Sequence, residues 1–264
     1  MTSEAWSSAE AYEPFMGRWS RLLASVVVGW LDPPPGLSWL DVGCGTGALS
    51  AAVLAHADPV SLLGIDPSAA YVGLAGAQLT ARRSAFRVGA AGELPVPDSS
   101  VDRVVCGLVL NFVPDAQAAL REMRRVLVPG GVIATYVWDY GDEGMQMLRR
   151  FWDAAIAEDP SAEAFDEGAR FGLSRPGGLE QCFADAGVVD VVSQRVEVPT
   201  VFRDFDDFWV PFLGGQGPGP GYLAGLSDEA RDRVRVRLHA TLPREPDGSI
   251  RLAASAWAVQ GTSP

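Results

Sequence analysis

Apolar residues recur along this chain in two different periods, and together these periods predict strands and helices in alternation. Residues 1–31 carry an apolar stripe at helical spacing that includes Phe15, Trp19 and Leu23. Three prolines and a glycine at 33–36 end that helix. Short apolar runs follow, and we expect strands at 37–42, 61–65, 86–88, 101–110 and 132–138, with helices from Ala48, from Ser68 and over 116–127. This alternation predicts βαβ units and a mostly parallel sheet.

The pattern becomes less regular after Trp138, then resumes with a helix at 178–186 and strands at 188–198 and 249–260. The expected fold class is α/β, with a Rossmann-like, doubly wound, mostly parallel seven-stranded sheet and helical cap insertions. The expected organisation is an N-terminal helical gate at 1–31, a Rossmann-like core at 32–140, a helical cap insertion at 141–176, a core helix and strand at 177–198, a second cap insertion at 199–248, and a last core strand with a tail at 249–264.

Three glycines, Gly43, Gly45 and Gly47, stand between the first predicted strand and the helix after it. Without side chains they let a ligand approach the backbone closely, and the N–H groups of the helix point towards that ligand. Asp66 ends the next strand, where a carboxylate can accept both hydroxyls of a ribose. Because the glycines and Ala48 also satisfy the looser dinucleotide fingerprint, the turn alone leaves an NAD(P)-dependent oxidoreductase open.

Three stretches together resemble the motifs of class I S-adenosylmethionine-dependent methyltransferases. They are Leu-Asp-Val-Gly-Cys-Gly-Thr-Gly at 40–47, Gly-Glu-Leu-Pro-Val-Pro-Asp-Ser-Ser-Val-Asp-Arg-Val-Val at 92–105, and Arg-Glu-Met-Arg-Arg-Val-Leu-Val-Pro-Gly-Gly at 121–131. They follow the family's order, and the likeness is to the small-molecule branch that includes the ubiquinone and menaquinone C-methyltransferases. The resemblance implies that the core at 32–140 binds S-adenosylmethionine. It also implies transfer of a methyl group to a small, largely apolar or aromatic acceptor, with S-adenosylhomocysteine as product and no metal.

The resemblance assigns roles to the matching positions. The glycines would line the methionine moiety and the ribose, and Asp66 would hold the ribose hydroxyls. Asp41 would either stabilise the loop or meet the cofactor ammonium through water, and Ala91 would offer its backbone N–H to the adenine. The implied cofactor site comprises Asp41, Gly43, Gly45, Gly47, Asp66, Pro67, Ala90, Ala91 and Asn111.

Two positions depart from the family's pattern. The family usually has an acidic residue at the position of Ala90, where its side chain receives the adenine amino group. Either Glu93 replaces it after a small shift of the loop, or a hydrogen bond worth about 1 kcal/mol is missing. Close relatives often carry His at the position of Asn111, near the transferring methyl group. Asn cannot act as a general base, so acid–base chemistry would have to come from elsewhere.

Aromatic residues are frequent in the two insertions and in the N-terminal helix, which the family architecture would place over the methyl group of the cofactor. The residues expected to contact the methyl acceptor are Tyr12, Phe15, Trp19, Trp138, Phe208 and Trp209. Packing of these rings within the cap is an equal alternative. Tyr12 or Arg18 could reach the cofactor's carboxylate, or could be packing and surface residues. The glycine-rich run at 214–221 is expected to be a mobile lid or a plain flexible connection.

A general base is needed only if the acceptor must lose a proton, because the main task is to align nucleophile and methyl group. His56 is expected at the far end of the helix after the glycine turn, and His239 lies on a predicted helix over 228–242. Further candidates are Asp139, Tyr140, Asp204, Asp206 and Asp207. The sequence assigns none of them, and it also leaves open a cyclisation or rearrangement by an S-adenosylmethionine-binding enzyme of this fold.

Composition narrows the possible partners and the expected compartment. All 21 basic residues are Arg and 33 residues are acidic, so the net charge of −12 argues against a nucleic-acid partner. The apolar run at 22–31 is too short to span a bilayer, and the first residues lack a basic targeting region. Cys44, Cys106 and Cys182 are far apart, as in a cytoplasmic protein with reduced thiols and no zinc site. The acceptor and the oligomeric state stay open.

Overall fold

The computed structural model describes residues 13–141, 143–214 and 217–264. Within them, seven strands form one sheet in the order β3-β2-β1-β4-β5-β7-β6. The strands are β1 Ser38–Val42, β2 Ser61–Asp66, β3 Ser84–Val88, β4 Val101–Gly107, β5 Leu127–Trp138, β6 Val189–Phe202 and β7 Ile250–Thr262.

The first five strands are joined by parallel pairings, so their carboxyl ends meet at one edge of the sheet. Leu40 in the central strand pairs with Leu63 on one side and with Val104 on the other. β7 runs opposite to β5, since the N–H of Gly130 donates to the carbonyl of Ser263 and that of Asp139 to the carbonyl of Ser255. The expected doubly wound, mostly parallel seven-stranded fold is therefore confirmed.

Helices connect the strands, and several of them begin where short polar side chains predict a start. A π-helical turn, Glu13–Gly17, leads into the first α-helix. The helices are α1 Arg18–Leu31, α2 Ala48–His56, α3 Ala69–Gln78, α4 Ala116–Val126, α5 Gln146–Glu158, α6 Glu167–Arg170, α7 Gly178–Asp185, α8 Phe205–Trp209, α9 Pro218–Ala224 and α10 Asp228–Thr241. The Asp115 carboxylate accepts from the N–H of Ala118 at 2.8 Å, which satisfies one free donor at the start of α4.

The chain divides into two compact units. The core unit comprises Ser20–Val137, Leu173–Val196 and Ala256–Pro264. The aromatic unit comprises the described residues up to Trp19, together with Trp138–Gly172 and Glu197–Ser255. The domain boundaries expected from the sequence stay predictions.

The core unit is built around the apolar residues of its central strands. Leu40, Val104 and Ile133 are fully buried, and they belong to one cluster with Leu120 of α4 and Phe183 of α7. Each of these side chains contributes about 1.5–3 kcal/mol when it is fully buried. This packing fixes the positions of the strand ends, where the glycine turn lies.

The aromatic unit is held together by stacked rings and buried polar contacts. The rings of Phe151 and Phe212 stack with their centroids 4.6 Å apart, and both side chains are fully buried. The indole N–H of Trp152 donates to the buried carboxylate of Glu167. An aromatic pair of this kind adds about 0.5–1.5 kcal/mol beyond the area that it buries. The unit therefore has a core of its own.

Several expectations from the sequence are wrong. β6 runs to Phe202 and does not end at 198, so the strand continues into the expected second insertion. β5 begins at Leu127 and not at 132, because the turn that ends α4 already pairs with Ser263. β4 ends at Gly107 and not at 110, because Leu108 adopts a left-handed conformation with φ +62°. Pro218 to Gly221 lie in the helix α9 and do not form a flexible run. Within the described residues, no helix is long and apolar enough to cross a membrane.

Candidate functional site

The three glycines of the first turn all adopt left-handed conformations. Gly43, Gly45 and Gly47 have φ values of +75°, +52° and +93°, which residues with side chains rarely adopt. The turn is anchored to β2, because the N–H groups of Gly43 and Cys44 donate to the carbonyl of Ile65 at 2.7 and 3.0 Å. The sequence therefore requires glycine at these three positions for conformational reasons.

The surroundings of the glycines differ. A Cβ atom at Gly43 would lie 2.6 Å from both methyl carbons of Val109, and one at Gly47 would lie 2.9 Å from Cδ1 of Leu79. A Cβ atom at Gly45 would have no described atom within 4 Å. Gly43 and Gly47 thus serve close packing, whereas the backbone at Gly45 borders open space that a ligand can enter.

Asp66 ties the end of β2 to this turn. One carboxylate oxygen accepts from the N–H of Gly45 at 3.0 Å, and the other accepts from the N–H of Ser68 at 2.8 Å. The side chain is buried, and burial raises its pKa while the two N–H groups partly oppose that rise. Each oxygen keeps a second lone pair, so the carboxylate can still accept hydrogen bonds from the hydroxyls of a ligand.

Asp41 lies in β1 directly before the turn and is 1% exposed. One of its oxygens accepts from the hydroxyl of Ser50 at 2.7 Å, which links β1 to α2. Its other oxygen, Oδ1, is buried without a hydrogen-bond partner in the described part of the chain. Burial and the nearby charge of Asp66 raise the pKa of Asp41 to about 7, although the Ser50 hydrogen bond opposes the rise. Ser50 was not foreseen, because only the packing of α2 on β1 brings it to Asp41.

The segment after β3 carries the first departure from the family's pattern. Ala90 and Glu93 face each other in an isolated antiparallel bridge, and the N–H of Glu93 donates to the carbonyl of Ala90 at 3.1 Å. Both residues are exposed. Glu93 therefore lies opposite Ala90 across one tight turn. Both alternatives stay open: the Glu93 carboxylate receives the adenine amino group, or that hydrogen bond is missing.

Asn111 lies in a short 3-10 helix, Leu110–Phe112, just beyond β4. Its amide nitrogen donates to the hydroxyl of Ser174 at 2.9 Å. Its amide oxygen is buried and has no hydrogen-bond partner among the described residues. Ser174 is 63 positions away along the chain, so no local pattern indicates this pair.

The glycine turn and the strands around it match a known family. Residues 40–135 match the family model described as a methyltransferase domain. The chain is 33% identical over 173 residues to the 2-phytyl-1,4-naphtoquinone methyltransferase of Synechococcus elongatus, an alignment that covers 56% of this chain and 72% of that protein. The chain belongs to the S-adenosylmethionine-dependent methyltransferases.

A second relative of this chain is the 2-methyl-6-phytyl-1,4-hydroquinone methyltransferase of Synechocystis. It is 29% identical over 196 residues, which make up 72% of this chain and 59% of that protein. The chain thus spans less than two thirds of the length of some curated relatives that it matches.

Solved structures show how widely this fold is used. The phosphoethanolamine N-methyltransferase 2 of Haemonchus contortus, in complex with phosphomonomethylethanolamine and S-adenosylhomocysteine, has a TM-score of 0.60 and is 16% identical; the match covers 97% of this chain and 56% of that chain. The [4+2]-cyclase SpnF has a TM-score of 0.52 and is 19% identical, over 94% of this chain and 80% of that chain. The fold therefore carries more than one kind of chemistry.

The residues expected to contact the methyl acceptor lie in the aromatic unit, except Tyr12, which is outside the described residues. Those described are Phe15, Trp19, Trp138, Phe208 and Trp209, and all five are buried. The ring centroids of Phe15 and Phe212 are 5.1 Å apart, and those of Trp19 and Phe202 are 5.3 Å apart. These contacts agree with the packing alternative, and the expected contacts with an acceptor stay predictions.

Arg18 has a structural role within the same unit. Its guanidinium pairs with the carboxylate of Asp207 at 3.2 Å and lies 4.3 Å from the ring centroid of Trp19. Burial opposes it, but the hydrogen bonds from Arg203 and then the Arg18 charge lower the pKa of Asp207. This pairing fits the alternative in which Arg18 is a packing and surface residue.

The candidates for a general base are also engaged or exposed. His56 and His239 are both exposed, and His239 lies edge-on to the ring of Phe205. The buried Asp139 carboxylate accepts from the N–H of Gly141 at 2.9 Å. All three cysteines are free and buried, and no group of three potential metal ligands occurs among residues 13–141, 143–214 and 217–264. The structure assigns no base.

Proposed function

We propose that this chain transfers a methyl group from S-adenosylmethionine to a small, largely apolar or aromatic acceptor. The observation that carries the proposal is the glycine turn, with its open backbone at Gly45 held by the Asp66 carboxylate, in a chain of the methyltransferase family. The relatives that are named for phytyl-substituted quinones support a hydroquinone-type acceptor.

The residues of the core unit suit this cofactor chemically. Asp66 keeps lone pairs for ribose hydroxyls, and Gly43, Gly45 and Gly47 would line the methionine moiety and the ribose. The unpartnered oxygen of Asp41 can accept a hydrogen bond from a water molecule or an ammonium group. A cationic ligand therefore meets two buried acids at the ends of β1 and β2.

The remaining assignments extend this site along the strand ends. Pro67 would lie beside the adenine, and Ala91 would donate its backbone N–H to the ring. Ala90 offers no acceptor side chain, so adenine recognition would depend on Glu93 or forgo one hydrogen bond. Asn111 would border the methyl end of the site.

Bound S-adenosylmethionine supplies a methyl group on a positively charged sulfur, which is already activated for in-line displacement. The chain has to hold the acceptor in line with that methyl group and keep water out, and such alignment can contribute about 7–11 kcal/mol. The described part of the chain offers no placed base, so the acceptor would arrive with its nucleophilic atom ready or lose its proton to water. Tyr12, Phe15, Trp19, Trp138, Phe208 and Trp209 remain the proposed acceptor contacts.

The two alternative functions, a cyclisation or rearrangement and an NAD(P)-dependent oxidation or reduction, have less support. The two relatives described above are named as methyltransferases, whereas the [4+2]-cyclase SpnF shares the fold at 19% identity. Within the proposal the reaction needs no metal and leaves S-adenosylhomocysteine. The cytoplasmic location and the absence of a nucleic-acid partner stay predictions.

Isothermal calorimetry tests the cofactor, with S-adenosylmethionine, S-adenosylhomocysteine and NADPH as ligands. We expect the first two to bind, and we expect Asp66→Ala to weaken both about 10- to 100-fold, because hydrogen bonds to a charged group are lost. Asp185→Ala removes an exposed carboxylate at the end of α7 and serves as the control. Binding of NADPH alone would refute the proposal.

Methyl transfer itself is tested with labelled S-adenosylmethionine and reduced 2-phytyl-1,4-naphtoquinone under anaerobic conditions. Incorporation of label into the hydroquinone supports the acceptor class. Cofactor binding without any incorporation would refute that class while leaving the cofactor site intact.

A further inference from the structure

The chain changes direction sharply at the carboxyl end of β4. Leu108 adopts φ +62°, a strained conformation for a residue with a side chain, and its N–H donates to the carbonyl of Tyr136 at 2.8 Å. Val109 then packs against Gly43, and Asn111 follows on the next turn. The strained residue thus directs this segment towards the glycine turn, at the sheet edge where ligands bind in folds of this type.

The side chain of Asn111 is fixed at one end and unsatisfied at the other. Its nitrogen donates to the hydroxyl of Ser174, which is 3% exposed. Its oxygen Oδ1 is buried, and no donor from the described residues reaches it. A buried amide oxygen without a donor destabilises the folded chain, so its retention at a ligand-binding edge indicates a donor on the ligand.

The Asn111 amide oxygen carries no net charge, and this indicates which kind of ligand group it binds. Asn111 offers a neutral oxygen, whereas the nearby ends of β1 and β2 carry the carboxylates Asp41 and Asp66. Cationic donors form stronger hydrogen bonds with carboxylates than with neutral oxygens. The amide oxygen is therefore suited to a neutral O–H or N–H group, such as a phenolic hydroxyl.

We propose that the Asn111 amide oxygen accepts a hydrogen bond from a hydroxyl of the methyl acceptor, and that Ser174 is a positioning residue that orients the amide. This inference rests on the proposed function. Because an amide does not take up the proton, Asn111 orients the hydroxyl and selects acceptors that carry one. Rotation of the amide by half a turn would present N–H groups to the acceptor, and the Ser174 hydrogen bond opposes that rotation.

Initial rates with reduced 2-phytyl-1,4-naphtoquinone as the acceptor test the inference. Asn111→Ala and the similarly sized Asn111→Leu should raise the KM for the hydroquinone about tenfold. The resemblance implies that Asn111 belongs to the cofactor site, so the affinity for S-adenosylhomocysteine, measured by calorimetry, separates the two roles. It should stay within about twofold if the amide oxygen holds the acceptor, because the contacts proposed for Asp66 and the glycine turn remain. Ser174→Ala should raise the KM for the hydroquinone by a smaller factor. Ser174→Thr keeps a hydroxyl and should have the wild-type KM.

Gln117 supplies a matched control. Its amide nitrogen donates to the carbonyl of Cys182 at 3.0 Å and its oxygen is also buried and unpartnered in the described chain, but it lies on α4 and not in the 3-10 helix that carries Asn111. Gln117→Leu should therefore leave the KM for the hydroquinone unchanged. Thermal melting of each variant checks that it is folded.

Four outcomes of these experiments would contradict the inference, each in a different way. An unchanged KM in both Asn111 variants would show that the amide oxygen does not hold the acceptor. A parallel loss of S-adenosylhomocysteine affinity would assign the oxygen to the cofactor, and a Ser174→Ala variant that loses only thermal stability would make Ser174 structural. A wild-type chain that binds S-adenosylhomocysteine but methylates no hydroquinone would overturn the proposed acceptor class and this inference with it.

Discussion

The buried carboxyl of Asp41 makes the stability of the chain depend on pH in a way that one substitution can isolate. Asp41 is 1% exposed, and only one of its oxygens has a hydrogen-bond partner among the described residues. Its pKa rises from 3.8 to about 7, chiefly because burial disfavours the charged form. Asp41→Asn keeps the shape and an acceptor for the Ser50 hydroxyl, and it removes the ionisation.

The sign and the size of the effect follow from the two pKa values. The folded chain holds the Asp41 proton more tightly than the unfolded chain, so this stabilisation is complete below pH 3.8 and is lost as pH rises through about 7. The linkage relation gives a destabilisation of about 2 kcal/mol at pH 5 and about 4 kcal/mol at pH 8. Asp41→Asn escapes this loss, so its free energy of unfolding relative to the wild type should rise by about 2–3 kcal/mol over that interval.

Urea titrations of the wild type and Asp41→Asn at pH 5, 6, 7 and 8, without cofactor, measure this difference. Asn also has its own burial cost, but that cost does not vary with pH, so the change with pH is the decisive quantity. Asp185→Asn serves as the control, because it makes the same substitution at an exposed carboxylate. A difference between wild type and Asp41→Asn that stays constant from pH 5 to pH 8 would refute the reasoning.

Two further predictions concern the glycine turn and the aromatic unit. Gly43→Ala combines a left-handed φ with a contact of 2.6 Å to Val109, so it should lower the free energy of unfolding by more than Gly45→Ala, which meets open space and carries only a conformational penalty of about 1–2 kcal/mol. Equal losses in urea titrations would contradict this ranking. Phe151→Ala removes a fully buried ring stacked on Phe212 and should lower the free energy of unfolding by about 3–5 kcal/mol, whereas Phe151→Leu should lose less. A thermal shift for Phe151→Ala no larger than that for Phe151→Leu would show that the ring is not part of a packed core.

The parts of the site that the sequence predicts are those whose partners are close along the chain. The glycine turn follows from residue type, since three left-handed positions within five residues suit glycine alone. The start of α4 follows from Asp115, which caps it through a hydrogen bond three residues on. The strand of Asp66 follows from a short apolar run. Each of these predictions needed only local physical chemistry.

The wrong predictions arise where distant residues decide the structure. The sequence predicts a strand that begins at 132, yet pairing with Ser263 extends β5 back through Pro129 and the glycines after it. The glycine-rich run at 214–221 was expected to be flexible, although Pro218 stands at the first turn of α9, a position that favours proline. The signal of Pro218 is local and is present in the sequence, whereas the pairing of β5 with Ser263 joins residues that are far apart along the chain.

The residues proposed to bind the cofactor and those proposed to bind the acceptor also differ in how far apart they lie along the chain. The residues proposed for the cofactor cluster at 41–47 and 66–68 and are joined by backbone hydrogen bonds across neighbouring strands, so a family motif carries them together. Asn111 and Ser174 are 63 positions apart and meet only in the folded core unit. If Asn111 holds the acceptor as proposed, substitutions at Asn111 or Ser174 change acceptor recognition without any change in the glycine turn. For this reason the likeness to quinone methyltransferases supports the cofactor more firmly than the acceptor, and the variants of Asn111 and Ser174 address the half that the motif leaves undetermined.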